Sequence, residues 1–244
     1  MSPAFDYNTS PMSIQVLPSL LAADFGRLAD EIRRVEDSGA DALHLDIMDA
    51  HFVPNLSFGP DVVALAKGVA PALLRNVHLM LTRPDLYIDR FIDAGADAVQ
   101  LHVEADCDVW EGLAAIRRRG VRAGLVSRPL TPAAALFPYV PGCDEVLFMT
   151  VHPGYGGQAF MSEVLPKIAA LRGHARRSGL GALDIMVDGG INTETAALCA
   201  AHGANQFVAG SFLFKQADMA AAVRRMRAVC EERFLSCNPD PASP

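Results

Sequence analysis

The sequence has no apolar run approaching the roughly 20 residues that a membrane-spanning helix needs, and no Lys/Arg block. Its net charge is −7, from 28 acidic against 21 basic residues. Both features argue against a nucleic acid or a membrane surface as partner. An anionic small molecule stays open, because local dipoles can override net charge. There is no Cys-x-x-Cys pair, and the five cysteines, Cys107, Cys143, Cys199, Cys230 and Cys237, are odd in number. That argues against a disulfide framework and against a zinc ribbon, and suits reduced thiols in a cytoplasmic protein. The first twelve residues contain Asp6 and no basic segment, unlike a secretory signal. No Pro/Gly/Ser linker or shift in composition divides the chain.

What is present is a long alternation. Apolar runs of strand type cover 14–17, 42–48, 73–80, 98–103, 122–126, 145–151, 183–187 and 206–209. Helical patterns fill the gaps, among them 27–37, 84–94, 109–119 and 217–232. The runs are apolar on both faces, as in a parallel sheet covered by helices. A weak repeat supports eight units. Gly39-Ala-Asp41, Gly95-Ala-Asp97 and Gly203-Ala-Asn205 each follow a helix and precede a strand, and their glycines lie 56 and 108 residues apart. With about 27 residues per β/α unit, those intervals are two and four units. The expected fold is a single-domain α/β structure, a (β/α)8 TIM barrel over 13–234; its structural rival is an open, doubly wound sheet. Residues 1–12 are expected to be a disordered arm and 235–244 a disordered tail. At 244 residues, one barrel accounts for the whole chain.

In such a barrel the chemistry sits where strands end. The second strand ends His44-Leu-Asp-Ile-Met-Asp49, and alternation puts His44, Asp46 and Met48 on one face. The third ends Asn76-Val-His78-Leu-Met80 and the seventh Val187-Asp-Gly-Gly190. An inward His or Asp is costly unless paired or bound to metal. Each residue alone has a plainer account: a strand His as a hydrogen-bonded core residue, a strand-end Asp as the next helix's cap. Four on three strand ends, His44, Asp46, His78 and Asp188, form a plausible site for one divalent ion such as Zn, Mn, Fe or Co.

A second group suits a phosphate. The loop His152-Pro-Gly-Tyr-Gly-Gly-Gln158 supplies Gly154, Gly156 and Gly157; strand seven supplies Gly189 and Gly190, and strand eight ends Gly210-Ser211. Small residues let backbone N–H groups approach an anion, and barrels often bind phosphate after strands seven and eight. The 152–161 stretch is also Gly-rich enough to be a lid.

Several strings resemble the ribulose-5-phosphate 3-epimerase family: Leu17-Pro-Ser-Leu-Leu-Ala-Ala-Asp24, Leu45-Asp-Ile-Met-Asp-Ala-His-Phe-Val-Pro-Asn55, Val77-His-Leu-Met80, Met149-Thr-Val-His-Pro-Gly-Tyr-Gly-Gly-Gln158 and Val187-Asp-Gly-Gly190. The similarity runs in order from about 14 to 232. It implies metal-dependent inversion of carbon 3, between ribulose 5-phosphate and xylulose 5-phosphate, through a metal-stabilised enediolate. It assigns Asp46 and Asp188 as the acid/base pair on opposite faces of the substrate. It assigns His44, Asp46, His78 and Asp188 to the metal and Ser19 to the substrate. It lays Met48, Met80 and Met149 against the planar intermediate, although the sequence alone favours ordinary core packing for these methionines. It also implies a homo-oligomer, a dimer or a hexamer.

Some positions depart from the family pattern. Ala50 stands for a usual Gly, Asn76 for a common Asp, Met186 for a common Glu, Arg128 for Asn, Tyr155 for Phe, and His152 for Asn, Asp or Glu. Arg128 is either a cationic substrate contact or a solvated loop residue. Related alternatives are a 3-epimerase of another phosphoketose, such as allulose 6-phosphate, or a non-catalytic phosphosugar-binding relative. A decarboxylase or aldolase on a related barrel fits less well, since no Lys ends an expected strand for Schiff-base chemistry.

Overall fold

The computed structural model describes residues 12–237. Eight parallel strands, β1 (Gln15–Pro18), β2 (Ala42–Met48), β3 (Leu74–Met80), β4 (Ala98–His102), β5 (Arg122–Ser127), β6 (Glu145–Met149), β7 (Asp184–Asp188) and β8 (Gln206–Ala209), pair in succession. β1 pairs with β8, and a single bridge between Ser19 and His44 joins β1 to β2, so the ring nearly closes. This is the expected (β/α)8 barrel.

Strand alternation divides the core in two. Outward residues such as Leu43, Leu45, Ile47, Val77 and Leu79 pack against helix residues including Ile32, Val35, Val63 and Phe91. Leu17, Val126, Leu147, Met149, Met186 and Val208 fill the barrel interior. Truncating a fully buried leucine such as Leu45 to Ala would cost about 2–5 kcal/mol.

The helices are α1 (Leu28–Asp37), α2 (Pro60–Val69), α3 (Ile88–Ala94), α4 (Val109–Arg118), α5 (Leu165–Arg177), α6 (Thr193–Ala201), α7 (Ser211–Phe214) and α8 (Met219–Cys237). Two expected helices differ. The segment over 84–94 is broken at Tyr87, whose φ of −124° and ψ of −12° separate a short 3-10 turn from α3. The last helix starts at Met219 because the Asp218 side chain accepts from Ala221 N at 2.8 Å, a cap for the first turn. It runs through Cys237, three residues beyond the barrel's expected end, so 235–237 are helical rather than a disordered tail. The rest of that tail and the arm over 1–11 lie outside the described residues.

At the N-terminal face the Gly-Ala-Asp repeat has a structural cause. Asp41, Asp97 and Asn205 each donate a backbone N–H to a strand carbonyl, those of Val16, Arg75 and Ile185. Each side chain in turn accepts the backbone N–H of that same residue, at 2.7–2.8 Å. Asp144 makes the same clasp on Ala123, with a 2.8 Å side-chain bond. The four clasps fall on alternate strands, β1, β3, β5 and β7, which accounts for intervals of two and four units. The repeat glycines at 39, 95 and 203 have φ of 72°, 109° and 107°, the left-handed turn expected after a helix.

Candidate active site and metal centre

The C-terminal ends of the strands surround a cavity of about 290 Å³. Ser19, Met48, Met80, Met149, Gly154, Gly156, Gly157, Gly189, Gly190, Gly210 and Ser211 all line it, as do Asp46 and Asp188. His44 and His78 are fully buried behind the wall. Lys215 and Asn192 also line the cavity. Neither was expected from the sequence, because neither lies on a strand end: Asn192 caps the start of α6 and Lys215 follows the end of α7.

One ligand atom from each of His44, Asp46, His78 and Asp188 can be chosen so that all four lie within 4.8 Å of one another. The register explains this: β2 and β3 run side by side with Asp46 opposite His78. His78 Nδ1 is 3.2 Å and His44 Nε2 3.4 Å from Asp46 Oδ1. The Ser19 hydroxyl donates to Asp46 Oδ2 at 2.6 Å, and the Ser57 hydroxyl donates to the Asp46 carbonyl. Asp46 is therefore held from several sides.

The electrostatics are unequal across the site. Burial pushes the Asp46 carboxyl up, but the charge of the adjacent His44 and the hydrogen bond and charge of His78 outweigh it and hold the group far below the usual carboxylate range. Burial raises Asp188 to about 7, helped by the nearby Asp46 charge. Burial alone would lower His44; Asp46 and Asp188 more than compensate and raise it. His78 is lowered to about 4, chiefly by burial. One carboxylate thus stays ionised while its neighbour holds a proton near neutrality.

The residues fit a divalent cation. His44 Nε2 is buried and makes no hydrogen bond, an orphan atom that a native interior seldom tolerates without a partner. Two imidazoles and two carboxylates are a borderline donor set, suited to several divalent metals.

Polar residues support this quartet from behind, and of these sequence reasoning singled out Asn76 but passed over Gln100, His102, Glu104 and Glu145. His78 Nε2 lies 2.9 Å from His102 Nε2, and His102 Nδ1 lies 3.0 Å from Glu104 Oε2. Burial would raise the Glu104 carboxyl, yet hydrogen bonds from His102 and Thr131 and the His102 charge bring it to about 2. His44 Nδ1 lies 2.8 Å from Asn76 Oδ1, and Asn76 Nδ2 donates to Glu145 Oε1 at 2.7 Å. The missed signal was the rule that found His44 and Asp46: Gln100 and His102 alternate on β4 as those two do on β2.

The departures fall into place unevenly. The Arg128 guanidinium does not line the cavity; it donates to the Phe52 carbonyl at 2.7 Å and lies 4.1 Å from the Phe52 ring centre. It braces the loop after β2. Met186 is fully buried within the barrel. The His152 side chain does not line the cavity, and its carbonyl accepts from Gln158. The Tyr155 hydroxyl, absent from a Phe, donates to the Pro54 carbonyl at 2.6 Å, and Asn55 donates to the Gly154 carbonyl at 2.8 Å. These two bonds fasten the Gly-rich loop after β6 to the loop after β2. Gly190 is required: its φ is 65°, and a Cβ there would meet Phe160 N at 2.7 Å.

Comparison with known proteins agrees with the geometry. Residues 15–214 match the ribulose-phosphate 3 epimerase family. The ribulose-phosphate 3-epimerase of Bacillus subtilis (strain 168) is 45% identical over 214 residues, covering 88% of this chain and 98% of that protein. The ribulose-phosphate 3-epimerase of Synechocystis sp. is 43% identical, covering 88% of this chain and 94% of that protein. Among solved structures, 3-hexulose-6-phosphate synthase from Salmonella typhimurium superposes with a TM-score of 0.68 at 17% identity, covering 90% of this chain and all of that one. At that identity the likeness speaks for the barrel alone. The matched length, the identity to these relatives and the quartet at the barrel mouth place the chain in the ribulose-phosphate 3-epimerase family.

Proposed function

We propose that the chain interconverts ribulose 5-phosphate and xylulose 5-phosphate by moving the carbon 3 proton from one face of the sugar to the other. The observation that carries this reading is the pair of carboxylates, Asp46 on β2 and Asp188 on β7, that line one cavity at the barrel mouth together with the imidazoles of His44 and His78 behind it. Inversion needs a base on one face and an acid on the other, and one swinging group would clash with the substrate plane. Asp46 takes the proton and Asp188 returns one; in the reverse direction the roles exchange. The Ser19 hydroxyl fixes the Asp46 carboxylate for this transfer.

His44, Asp46, His78 and Asp188 would hold one divalent ion, of Zn, Mn, Fe or Co. Such an ion would supply Lewis-acid stabilisation of the negative charge that develops on the substrate as the carbon 3 proton leaves. Met48, Met80 and Met149 give the planar enediolate an apolar wall that keeps water away. Backbone N–H groups at Gly189, Gly190, Gly210 and Ser211 suit the phosphate, and the fastened loop carrying Gly154, Gly156 and Gly157 covers it.

Proton NMR of ribulose 5-phosphate in D2O with metal-loaded protein tests the reading. The expected result is deuterium entering carbon 3 as xylulose 5-phosphate appears, with both effects lost in Asp188→Asn. Absence of exchange with metal shown to be bound would overturn this substrate, and a panel of ketose phosphates including allulose 6-phosphate would follow. All five cysteines are free, which suits a cytoplasmic enzyme, and a rice relative is itself a cytoplasmic isoform. No helix among the described residues is long and apolar enough to cross a membrane. The family resemblance also implies a homo-oligomer, dimer or hexamer, to which the exposed Leu56 and Leu130 side chains offer apolar surface.

A further inference from the structure

Behind His44, Asn76 and Glu145 stand in line, both buried inside the barrel. Neither lines the cavity at the barrel mouth. Their order decides which nitrogen of His44 is free. Asn76 presents an oxygen or an NH2 group depending on how its amide is turned. Its Nδ2 lies 2.7 Å from Glu145 Oε1, and the same oxygen accepts from Gln100 Nε2 at 2.6 Å. Turning the Asn76 amide over would set oxygen against oxygen. Asn76 Oδ1 must therefore face His44 Nδ1, 2.8 Å away, and Nδ1 must carry the proton that this oxygen accepts. The other nitrogen, Nε2, is the buried atom with no hydrogen bond, on the side of Asp46.

We propose that Glu145 is a positioning residue which, through Asn76, pins the His44 proton on Nδ1 and so presents Nε2 as a metal donor. The proposal rests on the reading of His44, Asp46, His78 and Asp188 as a metal site. A carboxylate at position 76 would accept from His44 unaided, whereas an amide is two-sided and needs a fixed partner. Glu145 is that partner. Its other neighbour, Arg122, lies 3.4 Å away and is held independently by Asp184 at 2.6 Å, so Arg122 does not require Glu145 for its charge.

The test measures Zn²⁺ affinity of the full chain by competition with a chelator, alongside the His44 Nδ1–H resonance in the ¹⁵N-labelled, Zn²⁺-loaded protein. Glu145→Leu removes the acceptor. The expected result is Zn²⁺ binding weakened by about 10–100-fold, with the Nδ1–H signal broadened or lost. Adding Asn76→Asp to Glu145→Leu should restore both, since the introduced carboxylate then accepts from His44 directly with no second carboxylate beside it. Should Glu145→Leu fail to fold, Glu145→Gln takes its place; its amide loosens Asn76 rather than freeing it, so the loss is smaller but is again restored by Asn76→Asp. Unchanged affinity and an unchanged Nδ1–H signal in both Glu145 variants would overturn the proposal. So would a loss that Asn76→Asp does not repair, which would mark Glu145 as a packing residue. If wild-type and His44→Ala chains bind Zn²⁺ alike, the metal reading itself fails, and the proposal with it.

Discussion

The two ends of the barrel treat the same kinds of residue in opposite ways. At the N-terminal face, Asp41, Asp97, Asp144 and Asn205 each exchange two hydrogen bonds with a single strand residue. Each is also met by a guanidinium, from Arg227, Arg75, Arg117 and Arg172 respectively. At the C-terminal face, Asp46 and Asp188 share a site with a His nitrogen that bonds to nothing, and a backbone position is forced into the left-handed region at Ala50. An acid that is fully satisfied contributes to stability; one held in tension with its neighbours is available for chemistry. The barrel separates the two by placing them at opposite ends of the same strands.

Asp188→Asn is the sharpest way to break this comparison at the mouth. Loss of one partner in general acid–base catalysis typically costs about 10²–10⁴-fold in rate, and the same range is expected here for kcat. Stability should respond in the opposite sense. Asp188 is raised from 3.8 to about 7 in the folded chain, so the native state holds a proton that the unfolded state has released. Its contribution is fully present below the unfolded value and is lost as pH rises from about 4 through about 7. Asp46, shifted the other way, acts only below that window, because its stabilising contribution is lost as pH falls under its unfolded value of 3.8. His78, lowered to about 4, contributes in the opposite sense between about pH 4 and 6.5, so Asp188 is read from a difference. In metal-free protein, the melting temperature of Asp188→Asn minus that of the parent chain should grow as pH rises from about 4 to about 7; a difference that stays constant across that window would show that Asp188 does not titrate there.

The matching break at the floor is Asp97→Ala. It leaves the Arg75 N–H without its side-chain acceptor and removes the carboxylate 2.5 Å from the Arg75 guanidinium. Stranding a largely buried donor costs about 1–3 kcal/mol, and the guanidinium keeps the carbonyls of Gly95 and Leu73. The expected loss is about 2–3 kcal/mol by denaturant titration, with kcat unchanged wherever the protein is folded. A fall in kcat without a fall in stability would mean that the two ends are coupled.

How much of this was legible in the sequence follows from the same contrast. Strand alternation placed His44, Asp46, His78 and Asp188 together because a strand residue's direction is set by the period of two. The rule applied equally to His102 on β4, which went unnoticed because no acid accompanies it on that strand face; its partner Glu104 lies just past the strand. Three clasps were visible as Gly-Ala-Asp or Gly-Ala-Asn. The fourth, Gly142-Cys-Asp144, hides behind a different middle residue and a 3-10 turn in place of a helix. Arg128 could not be placed, because a loop side chain takes its direction from tertiary neighbours, here the Phe52 ring and carbonyl. The Glu145 link to His44 was equally hidden, since it passes between strands far apart in sequence through an amide whose orientation no local pattern encodes.

Ala50 sharpens the comparison with the smallest expected effect. Its φ of 61° makes it the one non-glycine residue in the left-handed region among the described residues. An L-residue there carries roughly 1–2 kcal/mol of steric cost from its Cβ. The turn is held nonetheless, because Ala50 N donates to the Asn55 carbonyl at 2.9 Å and Asp49 Oδ1 accepts from His51 N and Phe52 N. That same turn carries Asn55, which fastens the Gly154 loop, so the strain lies under the cover of the cavity, where such strain tends to collect. Ala50→Gly removes the clash but gives the unfolded chain more freedom, which offsets about 0.4–1 kcal/mol of the gain. A net stabilisation of about 0.5 kcal/mol is expected by denaturant titration, with KM for the phosphosugar unchanged, since the hydrogen bonds that shape the turn remain. If Ala50→Gly instead destabilises the protein, the left-handed turn costs less than its angle implies, and the mouth stores its tension in the Asp46 and Asp188 carboxylates rather than in the backbone.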